Sequence, residues 1–319
     1  MFVKYLKFVI ICLVVNMNFK ITKNINEANM ITHAGTFHAD DVFATAFLIK
    51  IIENPIICRI NNFNDDIKTD AIVYDIGGGK FDHHQIDAER RYDNDIKYSS
   101  IGLLFKEYGY EYIKSLTDNY VEEIFTEIEE NLIKQIDAID NGVFPVIDAE
   151  YNVKTLSDIV SMFNPAWNEE KDRDELFKEA VEFAEKILDI EINKTISKMK
   201  AKEIVIEAIK NTEGSILILD KFMPFKNFVH ESTNPKAKNL KFAIFPSIRD
   251  GYTVHTIPVS KLNREPRLRF PIEISGLRDK ELQDKTGIET AVFVHPDGFI
   301  GACNNLEDTI KLANYALYN

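Results

Sequence analysis

Residues 30–52 read MITHAGTFHADDVFATAFLIKII, and the change of pattern inside that stretch decides the fold. Met30–Thr32 is a short apolar run of strand type. From Asp40 to Ile52, apolar residues recur at helical spacing (Val42, Ala46, Ile49), and two carboxylates sit in the first turn, where the helix dipole favours them. Working outward, Ile56–Ile60 and Ala71–Tyr74 are β-branched runs bounded by polar turns, hence strands. Ser99–Tyr108 reads as a helix capped by Ser99 and stopped by Gly109. Asn119–Ile139 reads as a long amphipathic helix ending near Gly142. The order β–α–β–β–α predicts a mostly parallel sheet with helices on both faces.

Further along, Ser157–Phe163 is a short helix broken at Asn164-Pro165. From about Asp172 to Asn211 the pattern is helical, with Phe177, Val181, Ala184 and Leu188 on one face, as one long or broken helix. After Gly214 the chain turns to strands at Ile216–Leu219, Phe242–Phe245, Thr253–Ile257, Ala291–Val294 and Phe299–Ala302. Helices at Asp279–Thr286 and Leu306–Tyr318 punctuate them. The expected class is α/β: a mostly parallel-sheet first domain (30–165), a helical linker (166–213) and a smaller, more antiparallel α/β domain (214–319). A chain of 319 residues has room for two such domains.

The composition is globular, with 45% hydrophobic and 28% charged residues, which excludes a mainly disordered chain. The net charge of −13 argues against nonspecific binding of long duplex nucleic acid over the whole surface. That charge is uneven. Residues 1–213 carry a balance of −15 and residues 214–319 a balance of +2. An acidic first half suits metal cations, and a locally basic second half suits an anionic ligand. Three cysteines (Cys12, Cys58, Cys303) make neither a disulfide framework nor a four-cysteine zinc site, so a reducing, cytoplasmic compartment is expected. Residues 1–29 stand apart. Lys4 and Lys7 precede an apolar run, Phe8–Val15, that is too short to span a bilayer and is followed by no small-x-small cleavage site. The expected start is Met17 or Met30, which makes residues 1–16 a start-site artefact; export is the alternative. No stable membrane partner is expected.

Four clusters carry chemistry. They are His33-x4-His38-x-Asp40-Asp41 after the first strand, Asp75 at the carboxyl end of another strand, Asp82-His83-His84 after the Gly77–Gly79 turn, and Asp137-x2-Asp140 at a helix end. Ligands of open α/β sheets collect at the carboxyl ends of strands. Imidazoles and carboxylates without thiols suit Mn, Fe, Co or Zn. Two ions roughly 3.5–4 Å apart need a bridging carboxylate and terminal ligands, and together they activate water and clamp a phosphoryl group. Asp75 is placed to bridge, with His33, His38 and Asp40 on one side and His83, His84 and Asp140 nearby. Each piece has a plain alternative: loop histidines, helix-capping Asp40 and Asp41, a simple glycine turn, and a solvated Asp137. Recurrence of His and Asp at successive strand ends favours the metal site.

The Asp82-His83-His84 triplet resembles the signature of the DHH phosphoesterase superfamily. Together with THAGTFHADD, VYDIGGGKFDHHQ, IDAIDNGV and SGLRDKELQDKTGIETAVFVHPDGFIGA, it resembles the Myg (melanocyte proliferating gene) family within it, from about Met30 to the C-terminus. The resemblance implies a catalytic first domain holding two Mn2+-type ions (Mg2+, Co2+ or Zn2+ being alternatives), a smaller substrate-binding domain, and an active cleft between them. It implies a metal-dependent hydrolase, a 3′-to-5′ exonuclease on short single-stranded RNA or oligonucleotides. The implied metal ligands are His33, His38, Asp40, Asp75, His83 and Asp140, with Asp82, His83 and His84 catalytic. The superfamily's first motif, His-x3-Asp-x-Asp, is here His33-x4-His38-x-Asp40, which leaves metal preference open. Asp140-Asn-Gly resembles the superfamily's Asp-Thr-Gly, which selects Asp140 over Asp137.

In the second domain, Lys261–Arg269 forms a basic patch of the kind that grips phosphate. Arg267 in that patch is a candidate phosphate contact, the plain alternative being a solvated face; the resemblance places further substrate contacts at Arg278, His295, Gly298 and Gly301, and Phe299 is a base-stacking or a core residue. The expected partner is a short single-stranded nucleic acid or a nucleotide phosphate, and self-association is left open. Two other functions remain at this point: a small-molecule phosphoesterase acting on pyrophosphate or a nucleotide phosphate, and a non-catalytic, metal-dependent nucleotide-binding protein.

Overall fold

The computed structural model describes residues 19–64, 69–91 and 95–319, in two compact units, one up to Thr195 and one from Ile196 to Asn319. The leader run Phe8–Val15 lies outside the described residues. Among the described residues, no helix is long and apolar enough to cross a membrane.

The first unit is built on a four-stranded, all-parallel sheet of order β1-β3-β2-β4. Its strands are β1 (Lys20–Thr22), β2 (Met30–His33), β3 (Ile56–Ile60) and β4 (Ile72–Val73). β2 is interior and nearly continuously apolar, with Met30, Ile31 and Thr32 all buried, as parallel strands covered on both faces must be. Helix α1 (Ala39–Ile51) follows it, and every residue from Ala39 to Ile49 is buried, so it is a core helix rather than an amphipathic one. Then come α2 (Ser100–Leu116), α3 (Val121–Ile128), α4 (Lys134–Asp140) and α5 (Leu156–Ser161).

Three sequence expectations need correction here. Residues 20–22, left outside the folded domain by the sequence reading, form the edge strand β1 and pair with Ile56–Cys58. A three-residue edge strand carries too short a pattern to be seen beside the apolar run that precedes it. Gly109 does not stop α2, which runs on to Leu116. It sits against Phe105, and an added Cβ would come within 2.9 Å of that ring, so this glycine serves close packing, not chain reversal. The helix expected over 119–139 is divided into α3 and α4 by a π-helical turn at Glu129–Ile133, a device common next to functional sites.

The long helix α6 (Arg173–Asn211) is unbroken. In the second unit, α6 ends and is followed by β5 (Ile216–Ile218), α7 (Lys226–Glu231), α8 (Lys236–Asn239), β6 (Phe242–Pro246), β7 (Tyr252–Thr256), α9 (Asp279–Thr286), β8 (Ala291–Val294), β9 (Ile300–Cys303) and α10 (Leu306–Tyr318). The sheet order is β5-β6-β7-β9-β8, parallel only between β5 and β6. The period of two in β6 sorts its side chains. Ala243 and Phe245 pack with Val205, Ile209 and Phe228 on one face. Phe242 and Ile244 pack with Leu282, Leu312 and Ala313 on the other. Helices α7 and α8, which sequence periodicity did not reveal, have only six and four residues.

Candidate metal centre

Three chain reversals at the carboxyl edge of the parallel sheet bring the first-unit candidates together. β2 ends on His33 and α1 begins after His38, so Asp40 and Asp41 fall in the helix's first turn. Asp41 Oδ1 accepts the His38 backbone N–H at 2.8 Å, which closes the cap and leaves Oδ2 free to face His33. Asp75 follows β4 with φ 58°. Asp tolerates this left-handed conformation better than most residues, though it still costs on the order of 1 kcal/mol. The Gly77–Gly79 turn folds back so that Asp75 N–H reaches the Phe81 carbonyl at 3.1 Å.

The centre of the arrangement is the Asp75 carboxylate. Its Oδ2 lies 3.1 Å from His33 Nε2 and its Oδ1 3.2 Å from His83 Nε2. His33 Nε2 is also 3.2 Å from Asp41 Oδ2. His83 Nε2 is 3.4 Å from Asp40 Oδ2 and 3.2 Å from Asp140 Oδ2. Ligand-capable atoms gather into three groups, His33–Asp41–Asp75, Asp75–His83–His84 and His38–Asp40–Asp140, each within 4.8 Å internally. The first two share Asp75. All six residues implied as ligands are thus brought to one cluster. Asp41 belongs to it as well, although the sequence reading treated it only as part of a motif or a helix cap. Its cue was present in the adjacent acidic pair: one member caps with one oxygen and keeps the other for the site.

Asp137 stands elsewhere. It is buried on the face of α4 turned to α2, with Arg91 Nη2, Ser99 Oγ and Ser99 N–H on its oxygens. Gly102 leaves it room, since a Cβ there would collide with both carboxylate oxygens. Asp82 is also fully engaged. It accepts from Gly78 N–H at 2.6 Å and His84 N–H at 3.1 Å, and it meets His84 Nδ1 at 2.6 Å. The His84 ring is mostly exposed and lies over His83 with centroids 4.4 Å apart.

Electrostatics follow from this crowding. Burial opposes charge on His33, but Asp41 and Asp75 outweigh it and raise its pKa to about 11. Burial likewise opposes charge on His83, and Asp40, Asp75 and Asp140 raise it to about 11. Burial alone would lift Asp75; hydrogen bonds from His33 and His83 instead hold it well below the carboxylate range. Asp140 is pushed up to about 8 by burial and by repulsion from Asp40. Among the described residues, the buried oxygens Asp40 Oδ1 and Oδ2, Asp41 Oδ2 and Asp75 Oδ1 have no well-aligned hydrogen-bond donor; three of them meet the shared His33 and His83 Nε2 atoms, at 3.2–3.4 Å. Buried carboxylate oxygens without donors are costly. Divalent cations are the groups that would satisfy several at once, and the mixed imidazole–carboxylate set fits Mn-, Fe-, Co- or Zn-type ions.

In the second unit the candidates are scattered in role. The Arg267 guanidinium donates to the carbonyls of Pro258, Ala237 and Leu240 at 2.7–3.1 Å, so it staples its own fold. Arg278 is exposed, caps α9, and stands over the Phe293 ring at 5.6 Å. His295 Nδ1 accepts Asp297 N–H at 3.1 Å, and its ring lies 4.3 Å from that of Phe299. Gly298 has φ 63°, and a Cβ would come within 2.9 Å of the Phe270 carbonyl. Gly301 lies in β9 and pairs with Val254 and Val294.

Comparison with known proteins bears on this arrangement. The MYG1_exonuc family model, described as an uncharacterised protein family (UPF0160), matches residues 29–317 and so spans every member of the cluster. The MYG1 protein of Saccharomyces cerevisiae is 30% identical over 337 residues, covering 95% of this chain and 98% of that protein. The MYG1 protein of Dictyostelium discoideum is 31% identical over 317 residues, covering 90% and 96%. The MYG1 exonuclease of Homo sapiens is 28% identical over 319 residues, covering 90% and 85%. Among solved structures, a pGpG-specific phosphodiesterase, PggH, of Vibrio cholerae aligns over 93% of this chain and 96% of its own at 13% identity; the TM-score of 0.27 is too low to bear on fold or function. The match is nearly end to end in the relatives as well as here and takes in both units, so the chain belongs to the MYG1 family.

Proposed function

We propose that the protein is a metal-dependent phosphodiesterase that shortens single-stranded RNA or short oligonucleotides from the 3′ end, using water activated at a two-ion site. The observation that carries this is the division of Asp75, one oxygen toward His33 and the other toward His83. A carboxylate so divided is the element a paired-ion site needs for its bridge. Family membership supports a hydrolytic phosphoesterase, since mammalian relatives bear the name MYG1 exonuclease.

His33, Asp41 and Asp75 would hold one ion, and His83, Asp75, Asp40 and Asp140 the other, with His38 beside them. When bound, such ions supply Lewis-acid charge that polarises phosphoryl oxygens and eases deprotonation of the attacking water. Asp75 keeps both imidazoles oriented across the cluster. Asp82 acts on His84: with Nδ1 turned to the carboxylate, His84 presents Nε2 for proton transfer to the leaving oxygen. His83, enclosed by three carboxylates, serves as a ligand and not as that acid. Manganese is the ion we assign, on the donor set and the family resemblance. Cytoplasmic residence fits the free, buried Cys58 and Cys303.

The test uses full-length protein stripped of metal and resupplied with Mn2+, a 5′-labelled short RNA, and pyrophosphate and 3′-phosphoadenosine 5′-phosphate as parallel substrates. Stepwise shortening from the 3′ end, lost in Asp75→Ala and His83→Ala, is expected. Turnover of the small phosphates alone would move the substrate class. Absence of all turnover with Mn2+ bound would make the protein a binder.

A further inference from the structure

The loop from β2 to α1 carries His38, which joins Asp40 and Asp140 in one ligand-capable group. Side chains from distant segments hold this loop. The Arg59 guanidinium, on β3, donates to the Gly35 carbonyl at 3.1 Å. Phe37 is fully buried and stands edge-on to Phe177, with centroids 5.5 Å apart. The third grip comes from Asn164, 127 residues along the chain from Phe37. Its amide meets the Phe37 backbone in both directions. Asn164 Oδ1 accepts the Phe37 N–H at 3.2 Å, and Asn164 Nδ2 donates to the Phe37 carbonyl at 2.9 Å. The side-chain amide thus stands in for a neighbouring strand.

Asn164 is itself anchored. α5 ends at Ser161, whose carbonyl accepts the Asn164 N–H at 3.1 Å. Pro165 follows and restricts the backbone of the residue before it. The consequence falls on the peptide group that joins Phe37 to His38. Its carbonyl is held by Asn164, and its N–H, which belongs to His38, donates to Asp41 Oδ1 at 2.8 Å. With that peptide fixed on one side and α1 on the other, His38 keeps only its side-chain torsions. Its ring is exposed, 6.0 Å from that of His33. An exposed imidazole has rotamer freedom to lose on meeting an ion, so the backbone that aims it governs how much affinity it adds.

We propose that Asn164 is a positioning residue of the metal centre: by clamping the Phe37 peptide groups it aims His38 at the ion held with Asp40 and Asp140. The clamp stands on the geometry alone; its role toward an ion rests on the two-ion reading.

The test is calorimetric titration of metal-free, full-length protein with Mn2+, which reads ion affinity without turnover. Wild type should show two binding steps. His38→Ala should weaken one of them by about tenfold or more and leave the other within about threefold. Asn164→Ala should weaken the same step by a similar factor. Adding Asn164→Ala to His38→Ala should weaken it less than about twofold further, since the amide acts through that ring. Asn164→Asp keeps the shape and the acceptor for Phe37 N–H but turns a carboxylate oxygen toward the Phe37 carbonyl. Its added charge alone would tighten both steps, so loss confined to the His38 step reports geometry. This variant also decides the matter if Asn164→Ala fails to fold. Equal weakening of both steps in the Asn164 variants, or additive losses with His38→Ala, would make Asn164 a structural residue only and overturn the proposal. Two steps in wild type, unchanged in both Asn164 variants, would sink the clamp and leave the two-ion site standing. A wild type that binds no Mn2+ would sink the two-ion reading and the proposal with it.

Discussion

Asp75 Oδ1 lies 3.2 Å from His83 Nε2 while the Asp75 backbone holds φ at 58°. The residue is therefore chosen twice, once for a carboxylate and once for a backbone most side chains resist. Asp75→Asn keeps the shape and the left-handed tolerance, whereas Asp75→Val keeps neither. Thermal melts of the metal-free proteins should show Asp75→Asn within a few degrees of wild type and Asp75→Val lower by about 1–3 kcal/mol of stability. Both should lose Mn2+ affinity by at least about tenfold. Equal melting of the two variants would mean that the backbone constraint is not felt.

His33 and His83 are raised to about 11, which fixes the sign of two pH effects. A histidine raised above its unfolded value of about 6.5 stabilises the metal-free fold fully below that pH. That contribution is lost as pH climbs through about 11. Metal ligation requires both rings deprotonated, and Asp140, pushed up to about 8, must also lose its proton to ligate, so at pH 7.5 Mn2+ binding should release between about two and three protons. Titration in two buffers of different ionisation enthalpy measures that number directly. Affinity should rise with pH over the same window, and proton release near zero would remove His33 and His83 from the ligand set.

The parallel character of the first sheet and the residues of the cluster were legible for a local reason: His33 and Asp75 sit at strand ends and Asp40 in the first turn of the helix that follows, where a short sequence window sees both the element and the group. Asp140 was separable from Asp137 only by motif likeness. The structure supplies the physical reason for their difference: the two carboxylates lie three residues apart, and Arg91 and Ser99, from distant sequence, claim Asp137. Asp41 was obscured by its capping role. Arg267 looked like a phosphate contact because composition shows charge but not which carbonyls surround it.

Gly102 gives a second structural test. A methyl group there would press on both Asp137 oxygens, in a buried network with Arg91 and Ser99. Gly102→Ala should therefore destabilise by about 1–3 kcal/mol from overpacking, despite the better helix propensity of alanine. A denaturant titration in which Gly102→Ala is as stable as wild type would mean that α2 and α4 shift apart freely.

Asp82 separates orientation from ligation. Its oxygens are occupied by Gly78 N–H and by His84, and neither is needed to hold an ion. Asp82→Asn keeps a side chain able to accept from Gly78 but weakens the hold on the His84 proton. kcat should fall by about 10–100-fold while Mn2+ affinity stays within about threefold. His84→Gln should give a similar loss in kcat, and adding Asp82→Asn to it should cost little more, since the carboxylate acts through that ring. Fully additive losses in the double variant would show that Asp82 works on the ligand cluster itself.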